Sequence, residues 1–439
     1  MLALFASYLL CAFLAATGSA ATGTPQVASS GCVHALAQRD YLPHSEEATW
    51  CSLAAGEVLA PCTALASAVC GILRLRRGDV KAGSAHLTRA VAGGRPDWVS
   101  HSYLGASLES VARQLLSSGG DAASREQVLS LAVHHFERAL ALRRATPPLP
   151  RALLDLAQPP TLLFRSAGTC LHWLGREAEA RAVFAAGVAE GIGWTSPLQR
   201  PTLPLPLSAP CPTPFLPSSD PRLAPLLQTL TAAIPALKQE YLAAVAREGQ
   251  QRPLLALETA GLEATQGWGV HTVAVDGAFR ASACVALPVL CALAREQPLV
   301  NATAVGQVKY SVLRRGAHIL PHAGPTVARL RVHCTLQAFP EEAGRAWIRV
   351  GEETREWRDG DCWVFDESFE HEVLTGGSGA RNASDSFQRV VLILDIVNVF
   401  LARLEDVKAH GASTQGWRRH KAELSRLWAM GSGKGLGDL

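Results

Sequence analysis

His322 stands just before the turn Gly324-Pro325, and His371 closes an acidic-aromatic loop, Phe365-Asp366-Glu367-Ser368-Phe369-Glu370, 49 residues later. Both are flanked by apolar runs that read as strands. Two imidazoles brought together from opposite strands are one way to build a non-haem Fe(II) site. The usual third ligand is an Asp or Glu two residues after the first histidine, and here that position is Gly324. Spacing alone therefore leaves two readings open: metal ligands, or ordinary core and surface histidines. Between them, Arg329, Arg331, His333 and Thr335 alternate with Leu330, Val332, Cys334 and Leu336, which gives a strand one polar and one apolar face. Two cations and an imidazole on one face are costly in a core unless an anion or a metal awaits them. Arg389 opens a further apolar run and shares its face with Val391, Ile393 and Asp395. It can serve an external carboxylate, or pair with Asp395 as a structural cation.

These residues need strands to hold them. From Trp268 onward the pattern is β, with strands expected over Gln307–Leu313, Arg329–Leu336, Trp347–Val350, Asp361–Phe365 and Arg389–Val399. Leu223–Arg247 carries helical spacing, with Leu226, Leu227, Leu230, Ile234 and Leu237 on one stripe. Upstream, from about Cys32 to Gly191, the pattern is helical throughout. Segments around Leu87, Phe136 and Phe184 carry small and apolar residues in the same register, at intervals of 49 and 48 residues. That interval exceeds the ~34 residues of a regular tetratricopeptide unit, so any repeat would be degenerate, with long inserts. Pro197 to Pro221 is proline-rich and reads as a linker or an extended strap. The expected domains are a helical, tetratricopeptide-like one over 32–196, a linker over 197–221, a β-rich one over 222–405 and a tail over 406–439.

With 439 residues, the chain can bury more than one core. Lys+Arg 41 against Asp+Glu 38 gives no basic surplus that would point to nucleic acid. The uncharged run Leu2–Leu14, followed by Gly18-Ser19-Ala20, reads as a secretory signal peptide over residues 1–20. An uncleaved signal anchor is the alternative, although the run falls short of the ~20 residues a span needs. Of 11 cysteines, Cys32, Cys51, Cys62 and Cys70 crowd the start of the mature chain, with connectivity open. In an oxidising compartment such cysteines pair. Asn301-Ala302-Thr303 and Asn382-Ala383-Ser384 are glycosylation sequons that fit a lumenal chain.

The stretch Tyr310–Val397 resembles the oxygenase domain of the aspartyl/asparaginyl β-hydroxylase family. The resemblance runs through Gly306-Gln307-Val308-Lys309-Tyr310-Ser311, Pro321-His322-Ala323-Gly324-Pro325-Thr326, Arg329-Leu330-Arg331-Val332-His333 and Asp366-Glu367-Ser368-Phe369-Glu370-His371-Glu372-Val373. It extends more faintly upstream, to about Leu131. It implies an α+β chain: a helical tetratricopeptide-like domain, then a double-stranded β-helix (jelly-roll, cupin-like) oxygenase domain. It further implies Fe(II) held by His322 and His371 alone, with glycine at the carboxylate position. Ser311, Arg331, His333 and Arg389 would bind 2-oxoglutarate, and Trp268 would line the substrate site. His322, His371 and Arg389 would then be the catalytic set, with Fe(II), 2-oxoglutarate and O2 as cofactors and co-substrates. Cys284 and Cys291, seven residues apart, match a similarly spaced pair in the family and are expected to form a disulfide.

The expected activity is hydroxylation of the β-carbon of Asp or Asn side chains in secretory-pathway polypeptides, disulfide-rich secreted domains among them. The chain would be a monomer in the endoplasmic reticulum lumen or secreted, with no membrane span once the signal is removed. The alternatives are a non-catalytic repeat scaffold with a relic oxygenase domain, and an oxygenase acting on a small molecule or lipid. Two departures bear on the rim of the site. Gly376-Gly377-Ser378-Gly379-Ala380 lengthens the connection from His371 to Arg389, and Asn398-Val399 stands where the family commonly has His-Pro.

Overall fold

The computed structural model describes residues 51, 54, 60–93, 97–117, 121–145, 149, 151–154, 156–202, 213–248, 256–257, 267–301, 303, 306–340, 345–376 and 388–400. The expected signal peptide, Cys32, the side chain of Cys62, the sequon at Asn382, residues 377–387 of the insert before Arg389 and the tail from 406 lie outside them. The chain divides into two compact units, the first ending at Gly187 and the second beginning at Val188. Among the described residues no helix is long and apolar enough to cross a membrane.

The first unit is helical: α1 (Ala60–Arg76), α2 (Val80–Ala92), α3 (Trp98–Ser117), α4 (Ala122–Ala145), the short α5 (Arg151–Leu154), α6 (Pro160–Trp173) and α7 (Glu177–Ala189). Asp79 starts α2 by accepting a hydrogen bond from Ala82 N at 3.1 Å, which satisfies one of the otherwise orphaned first-turn donors. The bulky residues that the sequence sets in register meet glycines on the preceding helix. A Cβ on Gly71 of α1 would stand 2.8 Å from Leu87, one on Gly105 of α3 2.6 Å from Phe136, and one on Gly168 of α6 2.0 Å from Phe184. Each large side chain of a second helix thus fills a gap that only glycine leaves in the first, and the paired helices approach closely. Cys51 and Cys70 are joined, which resolves part of the N-terminal cysteine cluster.

The second unit opens with β1 (Phe215–Leu216) and the long α8 (Ala224–Glu248). Strands β2 (Ala256–Leu257), β3 (Trp268–Val275) and β4 (Ala278–Phe279) precede three short helices, α9 (Ala281–Ala286), α10 (Pro288–Glu296) and α11 (Pro298–Asn301). Then come β5 (Gln307–Arg314), β6 (His318–His322), β7 (Arg329–Gln337), β8 (Ala346–Val350), β9 (Glu353–Glu356), β10 (Cys362–Phe365), β11 (His371–Thr375) and β12 (Gln388–Val397). They form an antiparallel sheet of order β1-β10-β7-β12-β5-β3-β2, with β4 beside β3, and a smaller one of order β6-β11-β8-β9.

Alternation along the strands gives the large sheet two buried faces. Val308, Tyr310, Leu330, Val332, Leu392 and Leu394 pack beneath α8 and α10. On the opposite face Trp268, Leu313, Phe365, Val391 and Ile393 pack against Ile319, Ile348 and Val373 of the small sheet. The candidate site lies in this second layer.

The expected disulfide Cys284–Cys291 is present. Cys334–Cys362 was not foreseen: it joins β7 to β10, where the ladder sets the two residues directly opposite. The two compact units meet at 187/188, so the described parts of the proline-rich stretch fall within the second unit. Proline cannot donate to a ladder but its carbonyl still accepts. Asp366 N donates to Pro214 O at 2.9 Å, and Glu370 N to Leu198 O at 2.6 Å.

His101 of α3 and His135 of α4 are buried, with their Nδ1 atoms 2.9 Å apart. One proton serves that bond, so one ring donates it and the other accepts it on a free lone pair. Burial presses His101 down to about 4 and His135 to about 3, with nearby cations and imidazoles adding to the effect. Because the folded values lie below the ordinary 6.5, the pair's contribution is complete above pH 6.5 and is lost as the pH falls toward 4 and 3. We expect the melting temperature of the helical unit to fall between pH 7 and 5 less steeply in His101→Leu/His135→Leu than in the wild type. An unchanged slope in pH-dependent thermal melts would show that the acid sensitivity lies elsewhere.

Candidate active site

His322 ends β6 and His371 begins β11, and the antiparallel register sets them directly opposite each other. Their ring centroids are 4.1 Å apart. Each Nδ1 is bonded to the carbonyl two residues back: His322 to Leu320 O at 2.7 Å and His371 to Phe369 O at 2.9 Å. A carbonyl can only accept, so each Nδ1 carries a proton, and in a neutral ring that leaves Nε2 its lone pair. Burial presses His371 down to about 3, against the opposing pull of the Phe369 carbonyl, so its ring is neutral at physiological pH. Neutral imidazoles with Nδ1 tied to a carbonyl are the form in which histidines bind metals.

Gly324 follows two residues after His322. A Cβ there would lie 2.7 Å from Glu367 Cγ and 2.8 Å from the Glu367 carbonyl oxygen. No side chain, and so no third ligand, can grow from that position. Glu367 turns its carboxylate away to Arg329 and, at 2.6 Å, to Arg331. Arg331 also holds Asp395 in a fork, with Nε to Oδ1 at 2.7 Å and Nη2 to Oδ2 at 2.9 Å. Burial pushes the Asp395 carboxyl up, but Arg329 and Arg331 outweigh it and its pKa ends below the usual carboxylate range. The two cations on β7 are thus neutralised within the fold. Asp395, weighed above as a partner for Arg389, belongs to Arg331 instead.

Arg389 has no carboxylate among the described residues. It is 1% exposed, donates to Ser311 Oγ at 3.0 Å, and lies 4.4 Å above the Trp357 ring. Burial alone lowers its pKa to about 9, which leaves it charged at neutral pH. Trp268 Nε1 donates to the same Ser311 oxygen at 3.0 Å. His333 sits beside it, between Trp357, Trp363 and Phe365. Burial and then Arg389 drive its pKa well below the ordinary value. Arg389 Nε, both ring nitrogens of His333 and Trp357 Nε1 are buried without a hydrogen-bond partner. Native interiors rarely leave such groups unsatisfied, so a cluster of them around an unneutralised cation marks a place for a polar anionic ligand.

Residues 231–398 match the model of the family "Aspartyl/Asparaginyl beta-hydroxylase". The human protein of that name is 39% identical over 114 residues, which make up 26% of this chain and 15% of the human one. The chain carries an aspartyl/asparaginyl β-hydroxylase domain. The aspartate beta-hydroxylase domain-containing protein 1 of mouse is 35% identical over 97 residues, 22% of this chain and 24% of that protein. An ornithine lipid ester-linked acyl 2-hydroxylase of Rhizobium tropici is 35% identical over 88 residues, 20% of this chain and 28% of that one. The matched stretch is thus a minor part of each of these relatives.

Within the hydroxylase domain, the structure brings His322 and His371 together, and separately gathers Ser311, His333, Arg389 and Trp268. Phe365 links the groups, its ring centroid 5.0 Å from His333 and 5.5 Å from His371. Arg331 lies on the same face, with its guanidinium committed to Asp395 and Glu367. Among the described residues no cluster of three or more His, Cys, Asp or Glu forms a metal cage. Paired imidazoles with carbonyl-tied Nδ1 atoms nevertheless suit an iron ion held by two protein ligands. The orphaned donors around Arg389 suit a dicarboxylate beside it.

Several residues of the site escaped the sequence reading. Lys309 is buried 5.7 Å from the Trp268 ring, and its place two residues before Ser311 on an alternating strand could have found it. Trp357, Glu367 as an arginine partner, and Gln199 and Arg200 of the proline-rich stretch carried no local signal. Breaking a buried ion pair from one side costs about 3–5 kcal/mol. Asp395→Asn leaves Arg329 and Arg331 with Glu367 alone, so we expect that loss in urea denaturation. A change below about 1 kcal/mol would mean that Glu367 alone suffices.

Proposed function

We propose that the chain is an Fe(II)- and 2-oxoglutarate-dependent dioxygenase that hydroxylates the β-carbon of Asp or Asn side chains in secretory-pathway polypeptides. The observation that carries this reading is the direct pairing of His322 with His371, each with Nδ1 held by its own backbone. These two residues would hold the iron. When bound, iron supplies the activation of O2, coupled to decarboxylation of 2-oxoglutarate to succinate and CO2, with one oxygen atom passing to the substrate carbon. The protein's own part is to bind, orient and exclude water.

Arg389 and Ser311 would take the distal carboxylate of 2-oxoglutarate, a planar fork with a hydroxyl beside it. His333 and the aromatic wall of Trp357, Trp363 and Phe365 would fix the rest of the molecule. Arg331 would act from behind, keeping β7 and β12 in place through Asp395. Trp268 would face the substrate while anchoring Ser311. The two facing sheets are read as a double-stranded β-helix, and the glycine-and-knob helix pairs as degenerate tetratricopeptide units that present the substrate chain. Cys51–Cys70, Cys284–Cys291 and Cys334–Cys362 support an oxidising compartment. The similarity to the Rhizobium acyl 2-hydroxylase favours one rival, a lipid or small-molecule substrate.

His322→Ala is expected to abolish iron binding and succinate formation. A purified variant that keeps iron and full turnover would overturn the ligand assignment. Mass spectrometry of acidic peptides and of acyl lipids incubated with the wild-type protein separates the two substrate classes by which one gains an oxygen atom. Among the described residues Arg389 has no acid partner to lose, so Arg389→Lys should change the melting temperature little. It should raise the KM for 2-oxoglutarate about tenfold or more, a loss of about 1.4 kcal/mol. A lowered melting temperature with an unchanged KM would return Arg389 to a purely structural role.

A further inference from the structure

The loop from Asp366 to Glu370 delivers His371, and a segment far upstream grips it. Gln199 forms an antiparallel bridge with Phe369. On one side of that bridge Arg200 N donates to Ser368 O at 2.9 Å, and on the other Glu370 N donates to Leu198 O at 2.6 Å. The backbone of Phe369 is therefore fixed from both flanks. Its carbonyl is the one that accepts from His371 Nδ1.

Side chains lock the same grip. Gln199 Nε2 donates to Asp366 Oδ2 at 3.1 Å and to Ser368 Oγ at 3.0 Å. Arg200 Nη2 binds Glu370 Oε2 at 2.5 Å, while its Nη1 donates to Pro197 O. Gln199 and Arg200 are each 3% exposed, so these bonds are shielded from water. Glu370 passes the contact on to Arg349 on β8 at 2.8 Å, which ties the loop to the small sheet as well. All of these residues belong to the second unit. Gln199 and Arg200 nevertheless lie before residue 231, where the match to the hydroxylase family begins.

We infer that Gln199 and Arg200 are positioning residues for His371. They set the direction of the Phe369 carbonyl, and through it the tautomer and orientation of the imidazole. The structure that supports His371 thus reaches back to Leu198, and the described part of the proline-rich stretch belongs to it. Partners that orient a ligand histidine from behind are worth 10–100-fold in metal affinity. This inference rests on the reading of His322 and His371 as metal ligands.

The test is anaerobic titration of the full chain with Co(II) as a probe, alongside proton NMR of the imidazole N–H signals shifted by the cobalt. Arg200→Met is expected to weaken Co(II) binding about 10–100-fold. It should broaden the His371 N–H signal through faster exchange with water, while the His322 signal stays sharp. Arg200→Lys, which keeps the charge toward Glu370, should recover most of the affinity. If Arg200→Met does not fold, Gln199→Asn decides: it keeps the amide but withdraws it from Asp366 and Ser368. A Co(II) affinity within about twofold of wild type in the folded variant, with both N–H signals sharp, overturns the inference. His322→Ala serves as the control. If it keeps Co(II), the ligand assignment itself has failed; if it loses Co(II) while the Gln199 and Arg200 variants bind normally, only the positioning role has failed.

Discussion

The β6–β11 register that sets His371 opposite His322 is the constraint on which the site depends. A slip of one residue on β11 would put Glu372, which bonds His318 and Arg349, where the imidazole stands, and would turn His371 to the other face. The ladder alone does not secure this register, since it shifts between His371 and Val373. The loop before His371 is held from outside the small sheet, by Leu198, Gln199 and Arg200 on one side and by Pro214 on the other. Irregular backbone beside His371 survives because its surroundings over-determine it.

The second constraint is the sorting of charge on the inner face of the large sheet. Three arginines point into one buried layer, and burying a cation is expensive unless it is paired. Arg329 and Arg331 are answered by Glu367 and Asp395 within the fold. Among the described residues Arg389 is answered by a hydroxyl and an aromatic face. Arg331 is balanced by two carboxylates of the fold itself. The difference comes from the ladder, which sets Asp395 directly against Arg331 and Arg389 against Leu313. Among the described residues Arg389 is thus left without a carboxylate, at the end of β12 nearest Ser311. Glu367 does double duty: its carbons occupy the space beside Gly324 while its carboxylate neutralises both arginines of β7.

Much of this could be read in the sequence because it is local. Alternation along Arg329–Leu336 and from Arg389 assigned faces correctly, since a strand's period is fixed by its backbone. The helical stripe of Leu226, Leu230, Ile234 and Leu237 likewise emerged as one buried side of α8. What stayed hidden depends on register between distant strands. Cys334 and Cys362 face each other only once β7 and β10 are paired. Asp395 shares a face with Arg389 by alternation, which made it a plausible partner, but it lies six residues further along β12 and meets Arg331 across the ladder. Proline content suggested that 197–221 merely spans a gap. It gave no hint that Gln199 and Arg200 would be among the most buried polar residues of the second unit.

In the helical unit three helix pairs make the same kind of contact although their spacing in the sequence is irregular. A repeat is defined physically by how one helix meets the next, and that meeting needs only two residues in the right places. Leu87, Phe136 and Phe184 supply the large partner; Gly71, Gly105 and Gly168 supply the missing Cβ. The length of chain between these contacts is carried by longer helices and connections, which a surface tolerates at little entropic cost. What such a contact requires is the close approach of paired helices, where one methyl group on Gly168 would collide with Phe184, and it sets no length for the chain between pairs.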